Sequence, residues 1–441
     1  MPIKLRFKLE LIFLYLKRHW ILFSTLTILV SVSIIFRQQL FNFYTKLNPP
    51  IQKIGLEGLY SLNNLPEEIA QKISYGLTQS DDSGHFSTSP LVKNLDINPE
   101  HNQYTFEIDP QLSWHRGKKL TAKDINYQIP GLEFSYPDYT HVVVKSNTTF
   151  SPILSTLSKS LIKKNFDGLG THVVKRYRYS EGNLKTLLLK STDNSILYRF
   201  YQHENDLINA FKIGEVDQIT LTNDPQELAN WPNTNLSKDV RTDERYIALF
   251  INTKKLASKS LRQALAYATP KTNDLNDRAI SPISPSSWAY NPEVKAYNYD
   301  PARAKELFKN NEIESLSLVY NDQRLVSLAD EIKKAWQEIL NINVDAHIDT
   351  QIDLQNYDII LAYGSIPTDP DQYVFWHSTQ QKTNLTHLDH PPIDKLLEEG
   401  RQSFDVQERK KIYQEFQKIL LEECPAIFLK YPTYYTISRK T

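Results

Sequence analysis

Cysteine and glycine are both scarce in this chain, and its net charge is zero. The single cysteine, Cys424, excludes an intrachain disulfide and any zinc or iron–sulfur site built from several cysteines. The 12 glycines among 441 residues form neither a phosphate-binding loop nor a dinucleotide fingerprint. Basic and acidic residues balance at 51 each, which argues against a general nucleic-acid-binding protein.

Catalytic motifs are missing too. The sequence contains no Gly-x-Ser-x-Gly elbow and no His-Glu-x-x-His zinc motif. Paired acids such as Glu398-Glu399 and Glu422-Glu423 fall on the surfaces of predicted helices, where they are solvated. We therefore predict no enzymatic activity and no cofactor.

The remaining composition is that of a soluble globular protein, with 40% hydrophobic residues and a mean hydropathy of −0.46. Its length predicts two or three domains. Aromatic residues are abundant, with 25 Tyr, 19 Phe and 6 Trp. They fit either a cleft that stacks on a ligand or a core filled with rings, and composition alone does not choose between these.

One apolar segment near the N-terminus is free of charge over residues 19–36. Basic residues outnumber acidic ones before it, which predicts a transmembrane anchor at 19–37 with residues 1–18 in the cytoplasm. Residues 38–50 would form an extracellular stalk. The alternative is a cleaved signal peptide, but its small-residue pattern at Ser31-Val32-Ser33 lies inside the apolar run and bulky residues follow.

Beyond the stalk, strand patterns alternate with helix patterns. Short alternating or continuous apolar runs predict strands at 104–108, 141–145, 246–251, 316–320, 342–346 and 357–362. Apolar positions at helical spacing predict helices at 260–268, with Ser260 as its cap, and at 301–308, 325–340 and 407–421. This alternation indicates an α/β fold in which helices cover the sheets.

Five segments, in this order and spacing, resemble the extracellular solute-binding proteins of peptide and nickel ABC importers (family 5, oligopeptide/dipeptide-binding type). The resemblance spans roughly residues 53–437. The segments that carry it are Tyr104–Ile108 with Trp114–Asp124, Leu207–Asp217, Leu249–Asn252 with Leu261–Ala268, Tyr299–Leu307, and a final set of Tyr357-Asp358, Asp369-Pro370-Asp371, Asn384, Ile393–Leu397, Arg409 and Pro425.

The resemblance implies a two-lobed periplasmic-binding-protein-like fold of class II, preceded by the one N-terminal transmembrane helix. Residues 51–244 would form lobe 1, with a small extra subdomain at about 60–130, and residues 245–424 would form lobe 2. Residues 425–441 would return to lobe 1. The sequence departs from the family at Ile129-Pro130-Gly131, which shortens the helix that normally follows Asp124.

The resemblance also implies a ligand cleft between the lobes. We predict that seven residues bind the ligand: Tyr363, Asp369, Trp376, Arg245, Tyr246, Asn252 and Trp288. Tyr363 follows a buried strand, where ligands of open α/β sheets sit. The alternatives are loop packing for Asp369 and a bond to neighbouring backbone for Asn252. Where many peptide-binding relatives carry Asp for the ammonium of the peptide, this chain has Ile366.

Three functional hypotheses follow. The first is a membrane-anchored importer component whose partners are a small peptide-like solute, ABC permease subunits and the membrane, but no nucleic acid. The second is a membrane-tethered interaction or scaffold protein that kept the fold without binding a solute. An extracellular hydrolase is the third, and no nucleophile–base motif supports it. His387 and His390 do not match a standard metal-ligand spacing, so no metal site is predicted.

Overall fold

The computed structural model describes residues 51–272, 274–311 and 313–440, together with a few residues between 14 and 39. The predicted cytoplasmic segment 1–18 and anchor 19–37 lie largely outside the described residues, and the predicted stalk 38–50 lies outside them except for Gln39. Among the residues that are described, none belongs to a helix with both the length and the apolar character needed to cross a bilayer.

Strands make up three sheets and one small hairpin. In chain order they are β1 Ile51–Glu57, β2 Thr78–Ser80, β3 Phe86–Thr88, β4 Val92–Ile97, β5 Gln103–Ile108, β6 Leu132–Ser135, β7 His141–Ser146, β8 Val173–Ser180, β9 Asn183–Lys190, β10 Ser195–Tyr201, β11 Gln218–Leu221, β12 Thr234–Val240, β13 Arg245–Ile251, β14 Ser315–Tyr320, β15 Asn343–Ile348, β16 Ile359–Ser365, β17 Ala426–Lys430 and β18 Thr433–Arg439.

Within residues 51–440, apart from the two that are not described, the longer helices lie in the second half. In chain order the helices are α1 Glu67–Ile73, α2 Ile153–Thr156, α3 Glu204–Lys212, α4 Gln226–Ala229, α5 Lys259–Ala268, α6 Pro301–Phe308, α7 Val326–Leu340, α8 Tyr373–Trp376, α9 Pro391–Gln402 and α10 Val406–Glu423. The predicted α/β alternation is confirmed. The cap of α5 is Ser258 and not Ser260, because the Ser258 hydroxyl accepts the Leu261 N–H at 3.3 Å.

The first sheet has the strand order β12-β18-β11-β1-β10-β9-β8, and the second has β15-β14-β16-β13-β17. At the centre of the first, β1 runs parallel to β10 and β11. In the second, β14 runs parallel to β15 and β16. Parallel strands end at the same edge of a sheet, so each sheet has one edge where the carboxyl ends collect.

The chain passes between the two sheets at residues 241–244 and again at 431–432. These crossings lie side by side, because β12 pairs with β18 and β13 pairs with β17. The second crossing comes later than the predicted start of the return at 425, since β17 still belongs to the second sheet. We call residues 241–245 and 431–434 the hinge.

The second sheet is covered on both faces. Leu249 of β13 packs in a core with Trp336 of α7, while the adjacent Phe250 packs on the other face with Phe416 of α10. Six of the seven residues of β13 are buried, so this strand is covered on both of its faces. Trp114, Trp336 and Trp376 are each at most 2% exposed, so several of the aromatic residues serve the core.

A third, antiparallel sheet, β4-β5-β7-β6, forms a small subdomain with its own core around Tyr104 and Phe106. It extends further along the chain than the predicted 60–130, because β7 pairs with both β5 and β6. After Thr121 the chain makes only a short 3-10 turn, Ala122–Asp124, which confirms that the family's long helix is missing here.

Asp124 is the polar centre of this subdomain. Its carboxylate accepts hydrogen bonds from Lys163 Nζ at 2.6 Å and from the Thr121 N–H at 3.0 Å, and its side chain is 9% exposed. Burial acts to raise the pKa of Asp124, but these hydrogen bonds outweigh it and lower the pKa to about 2. The charged form therefore stabilises the fold.

We expect Asp124→Asn to lower the free energy of unfolding by ~2 kcal/mol at neutral pH. Because the folded pKa lies below the unfolded value, this contribution is complete above pH 4 and is lost as the pH falls through 2. Urea titrations between pH 7 and pH 2 measure it. The exposed Asp330 of α7 supplies the control, Asp330→Asn. An Asp124→Asn deficit that stayed constant down to pH 2 would contradict the assignment.

Candidate functional site

The carboxyl ends of the two parallel strand sets face each other. On the first sheet β1 ends at Glu57, and Thr222 follows β11. On the second sheet β14 ends at Tyr320, and Arg324 lies in the turn that leads to α7. Arg324 Nη1 approaches Glu57 Oε2 at 3.3 Å and Thr222 Oγ1 at 3.4 Å. Ligands of open α/β sheets bind at such edges, so we take this junction as the candidate site.

Asp322 fixes Arg324 from its own side of the cleft. Its carboxylate accepts from Arg324 Nε at 2.9 and 3.0 Å and from Nη2 at 2.5 Å. These hydrogen bonds, which Arg324 donates to Asp322, raise the pKa of Arg324 above its ordinary value. Burial acts to raise the pKa of Asp322, yet the guanidinium lowers it. Asp322 alone therefore fixes the guanidinium of Arg324, without a contribution from the first sheet.

The negative charge of Glu57 is less well compensated than that of Asp322. Burial raises the pKa of Glu57 despite the opposing charge of Arg324, and the neighbouring carboxylates of Glu204 and Asp322 raise it further. The only cationic group that contacts it within the described residues is Arg324. The charge of the Glu57 carboxylate is therefore only partly compensated by Arg324.

Tyr363 and Arg245 lie together at the hinge. The Arg245 guanidinium lies over the Tyr363 ring, 4.4 Å from its centroid, and Arg324 lies 5.9 Å from the same centroid. Arg245 Nε donates to the Tyr434 hydroxyl at 3.1 Å, and that hydroxyl donates to Glu244 Oε2 at 3.2 Å. Tyr363 belongs to β16 rather than to the loop after it, because the strand continues to Ser365 opposite Arg245.

Four of the predicted ligand-binding residues are buried and have protein partners. Tyr246 is 2% exposed and packs edge-on against Phe428. Asn252 Nδ2 donates to the Tyr357 carbonyl at 2.9 Å. Asp369 pairs with Arg409, with Nη2 to Oδ1 at 2.8 Å, and Trp376 Nε1 donates to Gln372 Oε1 at 3.2 Å. In this structure all four side chains are thus occupied by protein partners, and a ligand contact for them stays a prediction.

Trp288 marks a second contact between the two halves of the molecule. Its ring stacks on His85 with centroids 6.3 Å apart. Two further contacts join the halves: His101 stacks on Phe404 with centroids 4.3 Å apart, and the Ser151 N–H donates to the Arg401 carbonyl at 2.7 Å. The subdomain therefore docks on the corner between α9 and α10. The ring contacts of Trp288 are to His85 and Tyr413, and none to Tyr363 occurs among the described residues.

Ile366 and His387 are not placed to hold charged ligand groups. Ile366 is 9% exposed and belongs to the core behind β16. His387 Nε2 lies 2.9 Å from the Leu354 carbonyl. It borders a surface hollow of about 260 Å³ that Lys254 and Asp389 also line, away from the junction of the sheets. No group of three or more possible metal ligands occurs within the part of the chain that the structure describes.

The sequence reasoning missed Glu57, Thr222, Asp322, Arg324 and Tyr434. A signal existed for two of them, because the polar run Asn321–Arg324 directly follows a buried strand. Tyr363 was predicted for the same reason, because it follows the buried strand predicted at 357–362. Glu57 and Thr222 give no such signal, since their partner lies more than a hundred residues away in the chain.

Comparison with known proteins agrees with this geometry. Residues 192–385 match the family model of the bacterial extracellular solute-binding proteins, family 5, middle segment. The dipeptide-binding protein of Escherichia coli (strain K12) is 23% identical over 222 residues, which cover 44% of this chain and 41% of that protein. The oligopeptide-binding protein AppA of Bacillus subtilis (strain 168) is 21% identical over 85% of this chain and 83% of its own length. The chain thus matches less than half the length of the first of these relatives.

Solved structures share the fold. NikZ from Campylobacter jejuni, in complex with Ni(L-His), has a TM-score of 0.74 at 20% identity and covers 88% of this chain and 94% of its own. AppA from Bacillus subtilis, in complex with a nonapeptide, has a TM-score of 0.69 at 18% identity over 88% and 95% of the two chains. Both are two-lobed α/β proteins. Over residues 192–385 the chain is thus similar to the bacterial extracellular solute-binding proteins of family 5, and it shares the fold of the solved structures named above.

Proposed function

We propose that this chain is the solute-binding component of an ABC importer, which captures a small peptide-like solute between its lobes and delivers it to a permease. The observation that carries the proposal is the meeting of the two strand-end edges at Glu57 and Arg324. Two sheets joined by adjacent crossings can swing about the hinge, and a solute that contacts both edges favours the closed arrangement. Peptides occur in the names of several relatives, which supports this class of solute.

Membrane attachment through residues 19–37 is part of the proposal. The uninterrupted apolar run and the basic residues before it support an uncleaved anchor with the main domain outside the cell. Trypsin added to intact cells or spheroplasts should release the main domain from the membrane fraction. A chain that sediments with membranes yet resists external trypsin would contradict this orientation.

Binding should be measured with the full chain against an equimolar mixture of free dipeptides and, separately, nickel with L-histidine. Because a ligand that binds only the folded state stabilises it, we expect the dipeptide mixture to raise the midpoint of thermal unfolding. At a concentration 100-fold above Kd the gain is about 2.7 kcal/mol. Small-angle scattering of the same samples would report closure. No shift with any peptide would count against a peptide-like solute.

The scaffold hypothesis keeps one supporting observation. Side chains of the protein itself join its halves, at Arg324–Glu57 and at the docking of His101 on Phe404. A chain that binds a protein partner at unchanged affinity after Glu57 and Arg324 are both neutralised would favour that hypothesis over solute capture.

A further inference from the structure

Part of the first sheet is open to solvent on one face. On that face α3 packs over Gly55 of β1 and Ile219 of β11. Further along the same face, Leu188 of β9 and Leu197 of β10 remain partly exposed. Their chain neighbours point to the opposite face, where they belong to a closed core. The outer strands β8 and β9 therefore present an open surface beside α3.

Basic side chains collect on this open surface. The register of β8 and β9 places Arg176 opposite Leu188 and Arg178 opposite Thr186, so both arginines share the open face. Lys190 follows Leu188 by two residues in β9 and points the same way. Lys53 of β1 lies opposite Leu197 on that face. We call these four cations the basic face; they are Arg176, Arg178, Lys190 and Lys53.

The protein itself does not neutralise the basic face. No ion pair involves any of its four members in the described part of the chain, whereas Arg199, nearer to α3, pairs with Glu215. The hairpin at residues 173–190 contains five basic residues and one acidic residue, Glu181, although the whole chain has no net charge. A local excess of this kind attracts a surface of negative charge.

Protection of a sheet edge does not account for all of these cations. Charged side chains on an edge strand deter pairing with other chains, and β8 is such a strand. However, Lys190 and Lys53 belong to β9 and β1, which have a neighbour on both sides. The charge therefore extends into the sheet, where it has no role in guarding the edge.

The basic face lies beside the point where the chain enters this sheet. β1 begins at Ile51, which pairs with Ser195, and Ser195 pairs with Lys190 on its other side. Residues 38–50, which precede β1, span at most about 45 Å when fully extended. An anchor at 19–37 would therefore keep the start of β1, and the cations next to it, within that distance of the lipid headgroups.

We propose that the basic face binds the headgroups of anionic phospholipids, so that the membrane which anchors the chain also orients its main domain. The lipid phosphates supply the complementary charge. Each Lys or Arg near an anionic lipid surface raises the equilibrium constant for binding by about fivefold. This inference rests on the proposed membrane attachment and adds a second, electrostatic contact to it.

Energy transfer from the full chain to labelled lipids tests the contact. Because Cys424 is buried, a fluorescent donor can be attached selectively to Ser180→Cys at the exposed end of β8. Transfer to headgroup acceptors should be greater in vesicles that contain phosphatidylglycerol than in pure phosphatidylcholine. Raising the salt from about 0.1 M to about 1 M should remove the difference, because the Debye length falls from roughly 10 Å to roughly 3 Å.

Two double variants identify the surface. Arg176→Glu with Arg178→Glu should lower the equilibrium constant for the lipid contact by at least about 25-fold and abolish the effect of phosphatidylglycerol. Lys305→Glu with Lys309→Glu makes the same change of charge at exposed positions of lobe 2 and should leave that effect intact.

Flotation of the same samples separates this inference from the proposed anchor. If the chain floats with neutral and anionic vesicles alike, but energy transfer ignores lipid charge, the basic face does not bind lipid while the anchor stands. A face that serves a protein partner instead would give this result. Flotation with anionic vesicles alone, reversed by salt, would overturn the anchor and support the basic face. Flotation with neither would overturn both.

Discussion

Asp369→Ala is expected to lower the free energy of unfolding by about 3–5 kcal/mol, because it leaves the guanidinium of Arg409 buried without its counterion. The two side chains are 7% and 8% exposed, and Arg409 reaches both oxygens of Asp369, at 2.8 and 3.2 Å. Arg409 also donates to the Gly400 carbonyl at 3.0 Å, which ties it in place. Urea denaturation at pH 7 measures the loss.

The double variant Asp369→Leu with Arg409→Met is the informative companion. It removes both charges, so its stability should recover to within about 1–2 kcal/mol of the parent. Glu306→Ala serves as the exposed control, since its pair with Arg303 contributes at most ~1 kcal/mol. A loss below 1 kcal/mol in Asp369→Ala would show that the carboxylate is available to solvent or ligand after all.

Trp376→Ala should cost a similar amount, about 3–5 kcal/mol, through the cavity that it leaves. The indole is 1% exposed and lies between Phe250 of β13 and Phe428 of β17, with ring centroids 6.3 and 6.2 Å away. Those two strands run beside each other in the second sheet, so the cavity would open under the sheet itself. Thermal and urea unfolding would both report it.

Controls separate a core role from a binding role for Trp376. Tyr139→Ala removes an aromatic ring that is 80% exposed and should change stability by less than about 0.5 kcal/mol. Below its unfolding midpoint, Trp376→Ala should still bind the free dipeptide mixture within a few-fold of the parent. A variant of normal stability that lost binding would restore Trp376 to the list of ligand contacts.

Local patterns predicted the elements well. Two elements show this: β13 was predicted from the continuous apolar run at 246–251, and α7 from the helical spacing of Leu328, Ile332 and Trp336. Both lie where they were expected, because such patterns depend only on neighbours in the chain. The end of β16 was placed too early, because Gly364 and Ser365 look like a turn. They continue the strand since Gly364 lies against the ring of Tyr246 and Ser365 pairs with Arg245.

The site was predicted less completely. Position after a strand drew attention to the neighbourhood of Tyr363, where a ligand contact stays a prediction, but it gave no information on burial. Asp369 and Trp376 follow the same strand and turn inward to Arg409 and Phe428, partners that lie 40 and 52 residues further on. The pairing of Glu57 with Arg324 joins strands of different lobes, and no local pattern encodes it.

Arg245 belongs to the hinge and also lies at the candidate site. Its Nε is bonded to Tyr434, which comes two residues after Pro432 at the second crossing, and its side chain covers Tyr363. If a solute binds this guanidinium as predicted, its effect on Arg245 would reach Tyr434 and the hinge directly. One side chain would then take part in both solute binding and lobe movement. We therefore expect substitutions of Arg245 to change the residence time of the solute and the rate of lobe opening together.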